Sequence, residues 1–154
     1  MRTAATHRNC QSISKYDTLN PSVNEKFRAV TRNCRPARGV NLLIRNQTRG
    51  TVLADKAAVA DTSEKRRTGL LKHTGLAAGE GLWIKPSEGV HTFGMKFAID
   101  VIFVNKKGVV LKLRPNMVKR RISLCLTAHS VVELPVGVIE SSQTAKGDQL
   151  EFVK

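Results

Sequence analysis

The residues best placed to do chemistry in this 154-residue chain are acids and cations set in unexpected surroundings. Asp100 lies at the centre of "MKFAIDVIFV", among Ile99, Val101, Ile102 and Phe103. A carboxylate buried there without partners costs several kcal/mol, so it must meet a cation or a set of N–H donors. The candidates are Arg67 on the inward face of a preceding helix, which is the favoured partner, His91 and Thr92 in the loop before the strand, and nearby backbone amides. Lys96 shares the strand face of Asp100 but is four residues away, too far for intimate contact in an ideal strand. Glu133 repeats the pattern in "VVELPVG", an acid beside a glycine-containing bend at a strand end, where carboxylates often cap loops. Two readings of Asp100 stand side by side: a clamp that fixes strand register, or one wall of a ligand site. If Asp100 and Glu133 converge, one of them would hold a raised pKa and serve as acid or base, with His91 as an alternative base. The candidate ligand-binding set is therefore Arg67, His91, Lys96, Asp100 and Glu133.

Other chemistries find less support. His7, His73 and His129 make no ligand spacing with His91, and Cys10, Cys34 and Cys125 form no CxxC pair. An odd number of widely spaced cysteines reads as reduced thiols without a metal, with Cys125 as core between Leu124 and Leu126. GxSxG, P-loop, GxGxxG and HExxH signatures are absent, so no metal or cofactor is expected. Trp83 and Phe93 read as core rather than as base-stacking platforms, because the few aromatics are not interleaved with arginine.

The charge balance speaks to partners. There are 26 Lys and Arg against 12 Asp and Glu, a net +14 that favours anionic partners. The first 40 residues hold eight basic and two acidic side chains, and four more cations cluster at Arg114, Lys119, Arg120 and Arg121. Nonspecific nucleic-acid contact through these basic segments is credible at this charge. The N-terminus lacks the continuous apolar run of a secretory signal, and no stretch has the ~20 apolar residues of a membrane span. The chain reads as soluble and cytoplasmic.

These residues need a scaffold. Residues 1–38 lack periodicity and end in "NCRPARG", a basic tail expected to be disordered; residues 41–154 form a single compact β-rich domain. "NLLIR" and "TVLADKAAVA" read as a hairpin whose Val52, Ala54, Ala58 and Ala60 share one face. "DTSEKRRTGLLKHTG" predicts a helix capped by Asp61 and Glu64 and stopped at Gly75, with Gly69 inside it marking a close approach of another element. Strands follow at "GEGLWIK", at 96–104, at "VVLKLR" after an "NKKG" turn, at 130–134 and at "QLEFV", while Pro115 and "NMVKRR" break the pattern. One helical turn fits "VIESSQ". Six or seven strands with one or two short helices make the fold mainly β, a small open barrel or sandwich.

The order of motifs resembles the bacterial and archaeal family called Domain of Unknown Function 192, over residues 41–154. It is carried by "RRTGLLKHTGL", "GEGLWI", "HTFGMKFAIDVIFVNKKGVV", "VVELPVG" and "KGDQLEF". Matching positions are Arg67, Gly69, Leu70, Met95, Lys96, Asp100, Phe103, Glu133, Gly137, Gly147 and Asp148. The chain departs at Leu71, where Met is common, and at "TFGMKFAID", where many members carry a Trp and an Asn. The resemblance implies a compact, mostly β domain with a short helix and brings no assigned reaction. The functional expectation is a binding or accessory domain for a small polar or anionic ligand. The alternatives are an enzyme using the acid/base cluster, or nonspecific association with nucleic acid.

Overall fold

The computed structural model describes residues 42–154, so the basic tail lies outside the described residues. The expectation of a mainly β fold with one or two short helices holds, although nine strands rather than six or seven are found among the described residues. Seven form one sheet in the order β6-β5-β8-β3-β2-β1-β9, where β1 is Leu42–Asn46, β2 Thr51–Ala60, β3 Glu80–Ile84, β5 Ile99–Val104, β6 Val110–Met117, β8 Ser130–Leu134 and β9 Leu150–Val153. Strands β4 (Gly89–His91) and β7 (Ile122–Leu124) make a separate antiparallel pair. The large sheet curls until its two edges meet at a bridge between Val109 and Gln149, reinforced by the Leu150 amide donating to the Gly108 carbonyl at 2.9 Å. It is an open barrel closed at one corner.

Strand β5 is buried along its whole length, because both of its faces are covered. Ile102 and Val104 join Leu42, Ile44, Val132, Leu134 and Leu150 on one side of the sheet. Ile99, Val101 and Phe103 pack with Leu70, Ile84, Val90, Met95 and Val131 on the other. The alternation that makes Asp100 a member of the first face thus follows from strand geometry alone. The β5–β6 hairpin forms as expected, with Gly108 at φ 82° in its turn.

Several local expectations change. The helix α1 is only Ser63–Thr68, and Thr62, not Asp61, caps it by accepting from the Lys65 amide at 3.3 Å. Asp61 instead pairs with Lys65. Gly69 stands at the C-terminal end of α1 with φ 45°, and a side chain there would meet only the Arg66 carbonyl, so backbone conformation rather than close packing selects glycine. In β2 the amides of Asp55 and Lys56 both donate to the Gly79 carbonyl, a bulge that places two residues opposite one. Leu53, Ala54, Ala57 and Ala60 are buried as a result, while Val52 and Ala58 are exposed. Strand β6 continues through Pro115, and the central strand starts at Ile99 rather than residue 96. Phe93 is exposed and Cys125 half-buried, whereas Trp83 is held in the structure by stacking on Phe152 and by donating to Ser130 Oγ. Helix α2 is the single turn Val138–Ser141.

Candidate functional site

Glu133 is the residue around which a site can be built. It lies in β8 between two neighbours, opposite Leu82 of β3 and Val101 of β5, and therefore faces the Val101 side of the sheet. It is 3% exposed, and its Oε2 has no hydrogen-bond partner among the described residues. Burial pushes its carboxyl up to about 7. Buried carboxylates are usually paired, so this one is an exception that calls for a proton or a donor from outside.

Glu133 borders a cleft of about 530 Å³. One wall is α1 and the turn after it, contributing Ser63, Arg66, Arg67 and Leu70; the other is the segment from Ile84 through β4, with Ser87, Val90 and His91. The two arginines differ. Arg66 is committed to structure, donating to the carbonyls of Asp61 and Lys85 and to Ser63 Oγ. Arg67 is exposed and makes no hydrogen bond or ion pair among the described residues, which leaves a guanidinium fork at the cleft. His91 is exposed on the same cleft and lies 6.0 Å from the Phe93 ring. Thr92 is fully buried and organises the adjoining loop: its hydroxyl donates to the Val118 carbonyl at 2.7 Å and accepts from the Arg121 amide at 3.0 Å.

Asp100 belongs elsewhere. Its carboxylate accepts from the backbone amides of Asn116 at 2.8 Å, Gly137 at 3.0 Å and Ile139 at 2.9 Å. Gly137 carries the N-cap position of α2 and offers no side chain, so Asp100 caps that helix from a distant strand. It also holds Asn116, whose φ is 46°. The expected pairing with Arg67 does not form, because the two side chains occupy opposite faces of the sheet. Lys96 is exposed and does not line the cleft. Of the five candidates, Arg67, His91 and Glu133 come together; Asp100 and Lys96 do not join them.

Sequence reasoning passed over Ser63 and Ser87 at the cleft, and no spacing signal marks them. It also missed a second buried polar cluster. Asp148 accepts from Asn46 Nδ2 at 2.8 Å, Arg49 Nε at 3.0 Å and the Ala145 amide at 2.9 Å. Burial acts to raise its pKa, but the Arg49, Ala145 and Asn46 donors outweigh it and bring the carboxyl down to about 2. Thr144 and Ser142 extend the network, which ties the turn after β1 to the approach to β9. None of its buried side-chain polar atoms lacks a partner, so it is a structural knot. Among the described residues no cluster of His, Cys, Asp and Glu is arranged to hold a metal, and no helix is long and apolar enough to cross a membrane.

Comparison with known proteins agrees with this architecture. A protein of unknown function from Novosphingobium aromaticivorans has a similar fold, with a TM-score of 0.64 at 22% identity over 76% of this chain and 89% of that one. A protein from Sinorhizobium meliloti, provisionally described as a transcription regulator, superposes with a TM-score of 0.63 at 18% identity, over 72% of this chain and 91% of its own. At those identities the likeness concerns the fold alone. A UPF0127 protein of Thermococcus sibiricus is 31% identical over 112 residues, 70% of this chain and 72% of its relative. Residues 44–152 match Domain of Unknown Function 192, described as Uncharacterized ACR, and the chain belongs to that family.

Proposed function

We propose that the domain is a binding module whose cleft between α1 and β4 receives a small polar or anionic ligand. The observation that carries this reading is the buried, unpartnered Oε2 of Glu133 bordering the same cleft as the uncommitted Arg67. A guanidinium fork selects a carboxylate or phosphate oxygen. A carboxyl poised near neutrality accepts from, or donates to, a hydroxyl or amide of the same ligand. The volume suits a small molecule, and Leu70, Ile84, Val90 and Met95 supply the apolar walls that such sites use. His91 adds a second donor or, when protonated, a second cation.

The test is a thermal-shift screen with phosphate, citrate, small hydroxy acids and monosaccharides. One class should raise the melting temperature by about 5 °C or more near saturation, and Arg67→Ala and Glu133→Gln should each weaken that response. A screen in which no probe shifts the wild type, or in which Arg67→Ala responds like wild type, ends this reading.

An enzymatic role is the second reading, favoured by one observation: Glu133, held near 7, and His91 border one cleft. Asp100 takes no part in it, since its oxygens are already engaged by three amides.

A further inference from the structure

Strand β7, paired with β4, is inverted relative to an ordinary exposed strand. Antiparallel strands with one solvated face usually turn polar residues outward. In β7 the polar Ser123 is 3% exposed, while Ile122 and Leu124 on its outer face are 59% and 57% exposed. Leu126, just beyond, is 76% exposed. The surface is continuous: Leu124 lies over Gly89, where a Cβ would come within 2.4 Å of its Cδ2, and Ile122 sits across from His91, next to the exposed Phe93. Exposed apolar side chains grouped in this way mark an interaction site.

The charge around this surface is predominantly positive. Residues 101–132 contain seven Lys and Arg and no Asp or Glu. Lys119, Arg120 and Arg121 are exposed in the turn that leads directly into Ile122, and Arg114 is exposed on the preceding strand. The buried Thr92 pins that turn through the Val118 carbonyl and the Arg121 amide, so the cations are presented on a fixed platform. Glu88 precedes β4 at the end away from this turn, opposite Cys125.

We infer that this face docks on an anionic lipid surface, with Ile122, Leu124 and Leu126 entering the headgroup and acyl boundary while Lys119, Arg120 and Arg121 lie over the phosphates. Apolar side chains fringed by a cluster of cations at one end are what an interfacial anchor requires, and Glu88 is set at the opposite end of the ribbon from that cluster. Nucleic acid would share the cationic attraction, but its interior offers bases to aromatic platforms, whereas the outermost side chains here are aliphatic.

The experiment is cosedimentation of the full chain with vesicles of phosphatidylcholine alone and of phosphatidylcholine with about one-third phosphatidylglycerol. Wild type should pellet with the anionic vesicles and far less with neutral ones. The triple variant Ile122→Ser, Leu124→Ser, Leu126→Ser keeps every charge and should lose roughly tenfold or more in partitioning. Leu126→Ser alone should retain the wild-type melting temperature and still show a measurable loss. Removing the turn cations should cost about fivefold each. Equal partitioning of wild type and triple variant, absence of binding to anionic vesicles, or binding to duplex DNA that the serine variants leave untouched while vesicles are ignored, overturns the assignment.

Discussion

Asp100 and Glu133 occupy adjacent strands, but the residue across from Glu133 is Val101 and the residue across from Asp100 is Leu134. This one-residue offset turns the two carboxylates to opposite faces of the sheet. Each acid then meets a different environment. Asp100 finds three amides and becomes part of the frame, while Glu133 finds none and lies beside a cleft. The acid/base pair that the sequence invites is thereby separated by the sheet itself.

The frame role of Asp100 predicts a large stability effect with no change in ligand response. Asp100→Ala strands the amides of Asn116, Gly137 and Ile139 and should cost about 3–5 kcal/mol in urea unfolding. Asp100→Asn keeps one acceptor oxygen but aims an NH₂ at a donor, and should cost about 2–3 kcal/mol. It serves as the readable variant if alanine prevents folding. A loss below 1 kcal/mol in the asparagine variant contradicts the capping role.

Glu133 predicts a pH dependence of definite sign. Its carboxyl titrates near 4.5 when unperturbed and near 7 in the folded protein, so the folded state holds the proton more tightly. The stability this contributes is fully present below about pH 4.5 and is lost as pH rises through about 7. Its size is roughly 3 kcal/mol by linkage. Urea midpoints measured from pH 5 to 8 should fall in wild type and stay nearly level in Glu133→Gln. Parallel slopes in the two proteins would show that another group carries the dependence.

Much of the fold is legible in the chain because strand periodicity is strong where one face is polar or both are apolar, as in β5 and β8. The β5–β6 hairpin follows from "NKKG", since Gly108 must take a positive φ. What stays hidden depends on pairing partners distant in sequence. The Asp55/Lys56 bulge exists only because the Gly79 carbonyl receives both amides, and it shifts the buried set from Val52 and Ala58 to Leu53 and Ala57. Strand β7 hides for another reason: its apolar residues point outward and its serine inward, the reverse of the pattern by which a half-buried strand is recognised. At the site, Arg67 and Glu133 stand out by residue type, but which acid shares a face with the arginine is settled by register, which no local spacing encodes.

Asp148 should behave oppositely to Glu133 with pH. Its donors hold the folded carboxyl near 2, below the unperturbed 3.8, so its contribution is present above about pH 3.8 and is lost as pH falls towards 2. Asp148→Ala should also leave the fully buried Asn46 amide and the Ala145 amide short of an acceptor, at a cost of about 2–4 kcal/mol near neutrality. Acid titrations followed by circular dichroism should show wild type losing stability over this range, with the variant already destabilised at pH 6 and less sensitive below pH 4. A variant as stable as wild type at pH 6 is incompatible with the network.

The barrel's closing corner can be probed with two glycines that share a left-handed conformation. Gly50 has φ 68° and open space where a Cβ would stand, so Gly50→Ala should cost only the conformational strain, about 1 kcal/mol. Gly108 has φ 82°, and a Cβ there would fall 2.5 Å from the Leu150 carbonyl oxygen, which belongs to the backbone and cannot rotate aside. Gly108→Ala must therefore push β9 away from the start of β6 or break the Leu150 to Gly108 hydrogen bond, and should cost about 3 kcal/mol or more. Hydrogen exchange localises the difference: faster exchange at the Leu150 and Val110 amides in Gly108→Ala, with both amides unchanged in Gly50→Ala. Equal losses in the two variants would mean that the corner yields freely, and that the sheet does not depend on meeting itself there.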